Sequence, residues 1–364
     1  MTSILPAIDA EKAFVGTVAP EGDDRLDLVK LTPWMEANVP GFTGPLEQAK
    51  FKGGQSNPTY KLSSPSGNYV LRRKPYGKLL PSAHAVDREF RVQSGLESVG
   101  FPVAPQYGLC EDDDVAGSMF YVMGMVDGRT IWNGAMPGAD PAERRAVYFE
   151  MTDVLAQLHS VDLERAGLTE YGKPGNYFGR QVGRWTKQYK LAETERLEPM
   201  ERLIEYLAAT LPEQTRTSIV HGDYRIDNMI FGAEGTPDAI KVLAVLDWEL
   251  STLGDPLADF TYFCMAYVTE NGGRSGVEDV DRKALGIPEL EEVVERYSAA
   301  TGRDSVPDMN WYFAYNFFRL AGIMQGIKKR VIDGTASSAH AKAMSERVAP
   351  LAEAAWGFAK KAGA

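Results

Sequence analysis

The chain has 364 residues, 44% of them hydrophobic, which is enough for two packed bodies that share one cleft. Its 50 acidic residues against 39 basic ones give a net charge of -11, whereas affinity for a nucleic-acid backbone comes from clustered Lys and Arg. We therefore expect no nucleic-acid partner.

The cysteine content and the hydrophobic runs indicate the cellular compartment and whether the chain spans a membrane. Cys110 and Cys264 lie far apart in the chain, so the sequence predicts no disulfide framework, and a reducing cytoplasm fits. Residues 1–14 lack a basic region before a long apolar stretch, and no uncharged run reaches the roughly 18 residues that a membrane helix needs. We therefore expect a soluble cytoplasmic protein without a membrane partner, and the oligomeric state stays open.

Residues 1–124 have the pattern of a small α+β lobe. An amphipathic stretch from Asp24 to Asn38 predicts a leading helix, with Pro33 as the point where it could break. A Gly-Gly bend at 53–54 and a turn at 65–68 separate strand-like runs, which predicts a hairpin. The remaining elements are short apolar runs and one polar helix, at 50–52, 59–62, 69–72, 84–98, 101–103 and 119–123.

Residues 125–364 are mainly helical in pattern. Helical spacing predicts segments at 141–160, 199–210, 256–267, 288–301, 310–331 and 338–362. One β-rich island lies among them, with strands at 218–220, 229–231 and 242–246. The expected fold is therefore α+β with two lobes, a small first lobe with an antiparallel sheet and a helix, and a larger helical second lobe.

The strongest chemical signal lies in that island, in the polar loop 221–228 and in Asp247 at the end of the next strand. Asp223 and Asn228 stand five apart on a tight loop and can project to one point, where Asp247 can meet them. Converging hard oxygens suit Mg²⁺, and phosphoryl transfer needs metal ligands together with a carboxylate that orients the attacking hydroxyl. The alternative is a buried hairpin whose Asp and Asn only form turns.

His221-Gly222-Asp223, Asn228 and Asp247 resemble the catalytic loop and metal aspartate of aminoglycoside phosphotransferases and choline kinases, which share a protein-kinase-like fold. The resemblance implies that Asp223 is the catalytic base, that Asn228 and Asp247 bind the metal, and that His221 supports the loop. It extends over roughly residues 51–263, and it implies ATP, with GTP as an alternative, and Mg²⁺ as cofactors.

Two further features surround this loop. Gly254-Asp255-Pro256 predicts the start of a helix. Together with Asp259 it is similar to a family element whose acidic residues brace the active-site loop. For Asp255 and Asp259 we therefore expect this structural role rather than a role in catalysis. Arg225 could neutralise transition-state charge, or it could be a solvated cation or a salt-bridge partner of its neighbour two residues on. His159 ends a long helix and is expected to be structural.

The nucleotide contacts are expected in the first lobe. The bend at 53–60 could offer N–H groups and small polar side chains to phosphates, although an ordinary hairpin is the alternative and no Walker A sequence is present. The residues assigned to nucleotide binding at this bend are Gly54, Gln55, Ser56 and Asn57.

A charged pair and a hinge complete the expected nucleotide site. Arg72 and Glu89 are assigned to the family's ion pair that meets the ATP phosphates, although Lys is the usual cation and surface charges are the alternative. Met123-Gly124-Met125 is the expected hinge whose backbone meets adenine.

Residues 74–89 resemble a subgroup found alone in bacteria and fused to acyl-CoA dehydrogenases elsewhere. That resemblance favours a hydroxylated acyl compound or another metabolic alcohol over an antibiotic as the acceptor. The aromatic stretch 310–326 contains no Asp or Glu and is expected to be core, with an apolar substrate wall as the alternative. The sequence therefore predicts an ATP-dependent small-molecule kinase; the alternatives are a nucleotide-binding regulatory module without turnover and a metal-dependent hydrolase.

Overall fold

The computed structural model describes residues 15–52, 57–75, 84–272, 274–335 and 341–364. Within these ranges the chain forms two lobes, a small one around an antiparallel sheet and a larger helical one, as the sequence predicts. The strands are β1 Thr17–Val18, β2 Glu47–Phe51, β3 Thr59–Ser64, β4 Gly67–Arg73, β5 Gln106–Cys110, β6 Phe120–Gly124, β7 Ser218–Val220, β8 Met229–Phe231, β9 Val242–Val245 and β10 Thr252–Gly254. The helices are α1 Leu28–Asn38, α2 Val86–Ser98, α3 Asp113–Ala116, α4 Pro141–His159, α5 Tyr177–Ala192, α6 Glu198–Ala209, α7 Leu257–Cys264, α8 Arg282–Leu285, α9 Leu290–Thr301, α10 Asn310–Ile332, α11 Ala341–Ser345 and α12 Val348–Lys361.

The sheet of the first lobe runs in the order β1-β2-β3-β4-β6-β5, with every neighbouring pair antiparallel. The predicted hairpin is the β3–β4 pair, whose register joins Thr59 to Arg72. Strand β6 lies on the other side of β4 and places Tyr121 opposite Arg72. The sheet thus sets the position of Arg72 from both sides.

Helix α1 corrects the predicted leading helix in two respects. It begins at Leu28 rather than Asp24, because the Asp27 carboxylate caps it by accepting two first-turn backbone N–H groups at 3.1 and 3.4 Å. Pro33 lies inside the helix and does not break it. The buried side chains of Leu31 and Met35, on either side of the proline, hold the helix in the core of the first lobe.

The first lobe has two apolar clusters of its own, and a third, larger cluster fills the second lobe. Val92 and Leu96 of α2 belong to the large cluster, so this helix packs against the second lobe as well. The boundary predicted after residue 124 stays a prediction. None of the helices that the structure describes has the length and hydrophobicity needed to cross a membrane.

Helix α10 is the centre of the second lobe, where it packs against α5, α7 and α12. Its aromatic side chains are all at most 8% exposed: Trp311, Tyr312, Phe313, Tyr315, Phe317 and Phe318. The interpretation of this stretch as core is confirmed, because the rings stack on one another and on α5 and α12.

Other predicted elements need correction. The run at 101–103 is not a strand, since Pro102 cannot donate a ladder hydrogen bond, and β5 was missed just beyond it. The β-rich island is two separate two-stranded sheets, β7 with β10 and β8 with β9. Helix α5 was missed altogether, and the last helix, predicted as 338–362, is divided into α11 and α12, with 338–340 outside the described residues.

Candidate active site

A cavity of about 370 Å³ lies between the two lobes. The sheet contributes Val70, Arg72 and Met123 to its wall, and the second lobe contributes Asn228 and Asp247. A pair of backbone hydrogen bonds between Arg129 and Phe231, both 2.8 Å long, ties the connecting segment to β8 beside it. Residues predicted for nucleotide and for metal therefore line one space.

Asp223 follows β7 and has both of its carboxylate oxygens held by side-chain donors. The Tyr262 hydroxyl donates to Oδ1 at 2.6 Å, and Asn228 Nδ2 donates to Oδ2 at 2.9 Å. Burial alone would raise the pKa of Asp223, but the Arg225 charge and the Tyr262 hydrogen bond outweigh it and hold this pKa below its ordinary value. The result is an ionised carboxylate with a fixed orientation.

The loop that carries Asp223 is braced from below by Asp259 of α7. The Asp259 carboxylate accepts the backbone N–H groups of His221 and of Gly222, the latter at 2.7 Å. His221 Nδ1 accepts the Asp223 N–H at 3.1 Å, so its Nε2 carries the proton that is donated to Leu246 O at 2.8 Å. The supporting roles predicted for Asp259 and His221 are thus present in the geometry.

Two neighbouring groups are also structural. Asp255 Oδ1 accepts the Leu257 N–H at 2.9 Å and so caps the start of α7. His159, with its side chain 1% exposed, lies between Asp259 at 3.6 Å and the Tyr297 hydroxyl at 2.6 Å. Burial lowers the pKa of His159 more than the carboxylate raises it, so the ring is neutral in the core.

Arg225 lies between two carboxylates. Its Nε is 3.4 Å from Asp223 Oδ1, and its Nη2 is 2.9 Å from Asp227 Oδ2. Burial would lower the pKa of Arg225, but these two carboxylates raise it above the ordinary value. The salt bridge left open by the sequence is therefore formed, and it keeps the guanidinium beside Asp223.

Asn228 and Asp247 are the candidate metal ligands. Asn228 uses Nδ2 to bind Asp223, which leaves its Oδ1 as the ligand atom. Asp247 has a left-handed backbone at φ 66°, a conformation that Asp tolerates better than most residues and that is enriched at functional sites. Among the described residues no three His, Cys, Asp or Glu side chains converge on a point. One carboxylate and one amide still fit Mg²⁺, which takes its other ligands from phosphates and water.

Arg72 connects the two lobes through three carboxylates. Its Nε is 2.8 Å from Glu89 Oε2, which is the ion pair that the sequence predicts. Its Nη2 is 3.0 Å from Asp247 Oδ1 and 3.4 Å from Glu249 Oε2. The cation on β4 and the candidate metal ligand of the second lobe are therefore in direct contact.

Glu89 is 1% exposed and is held by two further donors, Asn57 Nδ2 at 2.7 Å and the Tyr121 hydroxyl at 3.1 Å. Burial raises the pKa of Glu89, and Arg72 partly offsets this. Asn57 also contacts His84 Nδ1 through its Oδ1 at 3.0 Å, so the structure places its amide behind Glu89, and a nucleotide contact stays a prediction. The other residues predicted at this bend, Gly54, Gln55 and Ser56, lie outside the described residues.

Met123 and Met125 both line the cavity, with Gly124 between them. The Gly124 N–H donates to Pro105 O at 2.7 Å, and the Met125 N–H is 3.3 Å from Asn68 O. The segment is thus anchored at the position expected of a hinge, and its contact with adenine stays a prediction.

Sequence reasoning missed two residues of this site, Tyr262 and Arg319. Tyr262 lies one helical turn after Asp259, so both side chains face the catalytic loop, and that spacing was the available signal. Arg319 of α10 donates to Gly222 O and lies 5.2 Å from the Tyr262 ring centroid. Its signal was its position as the single charged residue in the aromatic stretch 310–326.

Comparisons with known proteins identify the family of the chain. A family model described as the phosphotransferase enzyme family (APH) matches residues 47–305. Acyl-CoA dehydrogenase family member 10 of Mus musculus is 47% identical over 323 residues, which cover 88% of this chain and 30% of that protein. Family member 11 of Homo sapiens is 38% identical over 343 residues, which cover 93% and 44%. The chain thus spans less than half the length of these relatives.

Among solved structures, that of a candidate aminoglycoside phosphotransferase from Ralstonia eutropha is 49% identical, with a TM-score of 0.84 and coverage of 93% of this chain and 99% of that one. The fold is the two-lobed, protein-kinase-like fold of the small-molecule phosphotransferases. The chain belongs to the phosphotransferase enzyme family (APH).

Proposed function

We propose that this chain is an ATP-dependent kinase that transfers a phosphoryl group to the hydroxyl of a small metabolic alcohol. The observation that carries the proposal is the Asp223 carboxylate, held at both oxygens and hydrogen-bonded to Asn228, which lines the cleft together with Asp247. A carboxylate in this position is what phosphoryl transfer needs in order to orient an attacking hydroxyl.

Asp223 would accept the hydrogen bond of the acceptor hydroxyl and point its oxygen at the phosphorus. Because the pKa of Asp223 is held low, the proton would pass to it only as the new bond forms, which suits a loose transition state. Tyr262 and Asn228 keep the carboxylate oriented. Arg225, held near Asp223 by Asp227, would stabilise the charge on the transferred group.

Asn228 and Asp247 would hold Mg²⁺ through Oδ1 and a carboxylate oxygen. The ion, when bound, neutralises charge on the nucleotide phosphates. Arg72 would then move its Nη2 from Asp247 to a phosphate oxygen while keeping Nε on Glu89. Arg72 can make this exchange because a guanidinium presents several donors in a fixed plane.

Two comparisons support the choice of co-substrates. The aminoglycoside phosphotransferase APH(4)-Ia, solved as a ternary complex with ADP and hygromycin B, shares the fold with a TM-score of 0.55 at 13% identity, over 92% of this chain and 99% of that one. That complex favours ATP as the donor here, with GTP as the alternative. The names of the acyl-CoA dehydrogenase relatives favour a hydroxyacyl compound as the acceptor.

The test is Mg²⁺-dependent consumption of ATP or GTP with hydroxy acids, hydroxyacyl-CoAs, amino alcohols and aminoglycosides as acceptors. Asp223→Asn should lower acceptor-dependent turnover by about 10²–10⁴-fold. Asp238→Asn changes an exposed carboxylate in a surface turn and should leave turnover unchanged. Nucleotide binding without turnover on any acceptor would instead support the regulatory module, for which Arg72, standing where Lys is usual, is the motivating feature.

A further inference from the structure

Arg225, which contacts Asp223, is close enough to two further arginines for its charge to act on both, although the chain as a whole is acidic. Arg225 lies on the catalytic loop, Arg274 lies on the segment between α7 and α8, and Arg347 immediately precedes α12. The Nε atoms of Arg274 and Arg347 are shielded from solvent and have no hydrogen-bond partner in the part of the chain that the structure describes. Two half-buried arginines therefore each keep one shielded N–H group without a hydrogen-bond partner.

The segment that carries Arg274 is tied to the wall of the cavity. Arg274 O accepts the Gly134 N–H at 2.8 Å, and Asn271 Nδ2 donates to Asn133 Oδ1 at 2.9 Å. These contacts fix the segment next to Trp132, which lines the cavity. Arg274 is thus held on a segment next to the cavity wall, where the charge of Arg225 on the catalytic loop reaches it.

The charges of this cluster are not balanced. Arg225 has Asp223 and Asp227 as partners, whereas neither Arg274 nor Arg347 forms an ion pair with a carboxylate of the described residues. Asp227 does not complete the pairing of Arg274, because its Oδ2 binds Arg225 and its buried Oδ1 has no hydrogen-bond partner. Three guanidinium groups therefore face two carboxylates.

Burial, together with the excess of positive charge in this cluster, lowers the pKa of Arg274 and of Arg347. Burial, and then the charge of Arg225, lower the pKa of Arg274 by more than the nearby Asp227 carboxylate raises it. Burial, and then the charges of Arg274 and Arg225, lower the pKa of Arg347 to about 10. A partly desolvated charge without an ion-pair partner costs folding free energy, and such groups concentrate at sites that bind ligands.

We infer that the acceptor carries an anionic group, a carboxylate or a phosphate, that binds Arg274 and Arg347 while its hydroxyl faces Asp223. A guanidinium binds either anion through two parallel hydrogen bonds, so the arginines fix the orientation of the acceptor as well as its charge. A polycationic amino sugar would be repelled by the same groups. The inference rests on the proposed function, since it names the acceptor class of that site.

Binding can be measured without turnover, by calorimetry on the Asp223→Asn protein saturated with ADP and Mg²⁺. The probes are 3-hydroxybutyrate against its methyl ester, and 3-hydroxybutyryl-CoA against 3-hydroxybutyryl-pantetheine, which lacks the phosphates. At least one anion should bind about tenfold more tightly than its uncharged counterpart, and the pair that shows the difference distinguishes a carboxylate from a phosphate. Equal affinity within both pairs would overturn the inference.

The assignment to Arg274 and Arg347 is tested by replacing each with Gln in the same protein. Each change should remove most of the preference for the anion, while Arg330→Gln, at an exposed position on α10, should not. A structural role would make these variants less stable, whereas the loss of an unpaired buried charge should leave the melting temperature unchanged or raise it. A preference that survives both changes would refute the assignment.

The two proposals fail in different ways. Turnover on uncharged or cationic acceptors that is insensitive to Arg274→Gln would overturn the anionic acceptor and leave the kinase standing. Anion binding that depends on Arg274 and Arg347, without turnover on any acceptor, would support the anion site and overturn the proposed kinase activity.

Discussion

Tyr262 donates one of the two side-chain hydrogen bonds that hold the Asp223 carboxylate, and Tyr262→Phe removes only that bond. A hydrogen bond to a charged acceptor contributes about 1.5–3 kcal/mol. Since one pKa unit corresponds to about 1.4 kcal/mol, the pKa of Asp223 should rise by about 1–2 units. The catalytically useful form is the ionised one, so the acid limb of the rate profile should move to higher pH by the same amount.

The assay is kcat/KM for phosphoryl transfer on the acceptor that gives the highest turnover, measured from pH 8 down to the lowest pH at which each protein stays folded, because the pKa of Asp223 is held below its ordinary value. Tyr224→Phe is the matched control, because the Tyr224 hydroxyl is buried on the same loop but donates to Met151 O at 2.8 Å. The control should lose some stability and keep its acid limb. An acid limb that stays in place in Tyr262→Phe, or that moves equally in both variants, would show that this hydrogen bond does not set the protonation of Asp223.

Three other changes test the fold and its charges by urea unfolding. Gly128→Ala would place a Cβ inside contact distance of a backbone oxygen of β8, so it should cost about 1–3 kcal/mol, whereas Gly183→Ala, on an open face of α5, should stabilise by about 0.5–1 kcal/mol. Equal effects at the two glycines would contradict the close approach of the connecting segment to β8. Arg72→Met leaves the buried Glu89 carboxylate without its cation and should cost about 3–5 kcal/mol, part of which Glu89→Gln should restore in the double variant. Independent, additive effects would contradict the pairing. The folded state holds His159 neutral with a lowered pKa, so unfolding takes up a proton and the unfolding free energy should fall as pH drops below 6.5, by at most about 1.4 kcal/mol per pH unit. His159→Gln should flatten that slope, and an unchanged slope would assign it to other groups.

The sequence predicts those parts of the site that short stretches of chain determine. Asp223 and Asn228 lie on one tight loop, and a single short strand delivers Asp247 to it, so their spacing already implied convergence. The Arg72–Glu89 pair was predicted from the resemblance to the family, and the structure forms it.

The parts that were missed depend on contacts between distant segments. Tyr262 reaches Asp223 across 39 positions, and Arg319 reaches Gly222 across 97. Asn57 shows that a sequence pattern does not predict side-chain orientation. The pattern placed Asn57 at the bend, but its amide turns toward Glu89. Helix α5 was missed although Phe178, Val182, Trp185 and Tyr189 recur at helical spacing, because its two glycines and many polar residues lower its helix propensity.

The contacts of Arg72 with Asp247 and Glu249 have a consequence for the way the cleft opens. Separating the lobes would pull the Arg72 guanidinium away from two carboxylates. Opening of the empty cleft therefore costs electrostatic free energy in addition to the energy of bending the connecting segment. When nucleotide phosphates enter with a cation, a phosphate would take the place of Asp247 on Arg72, and the cation would take the place of Arg72 on Asp247. The charges would be balanced both in the empty cleft and in the occupied one. Binding of the nucleotide with its cation would therefore remove the electrostatic resistance to opening.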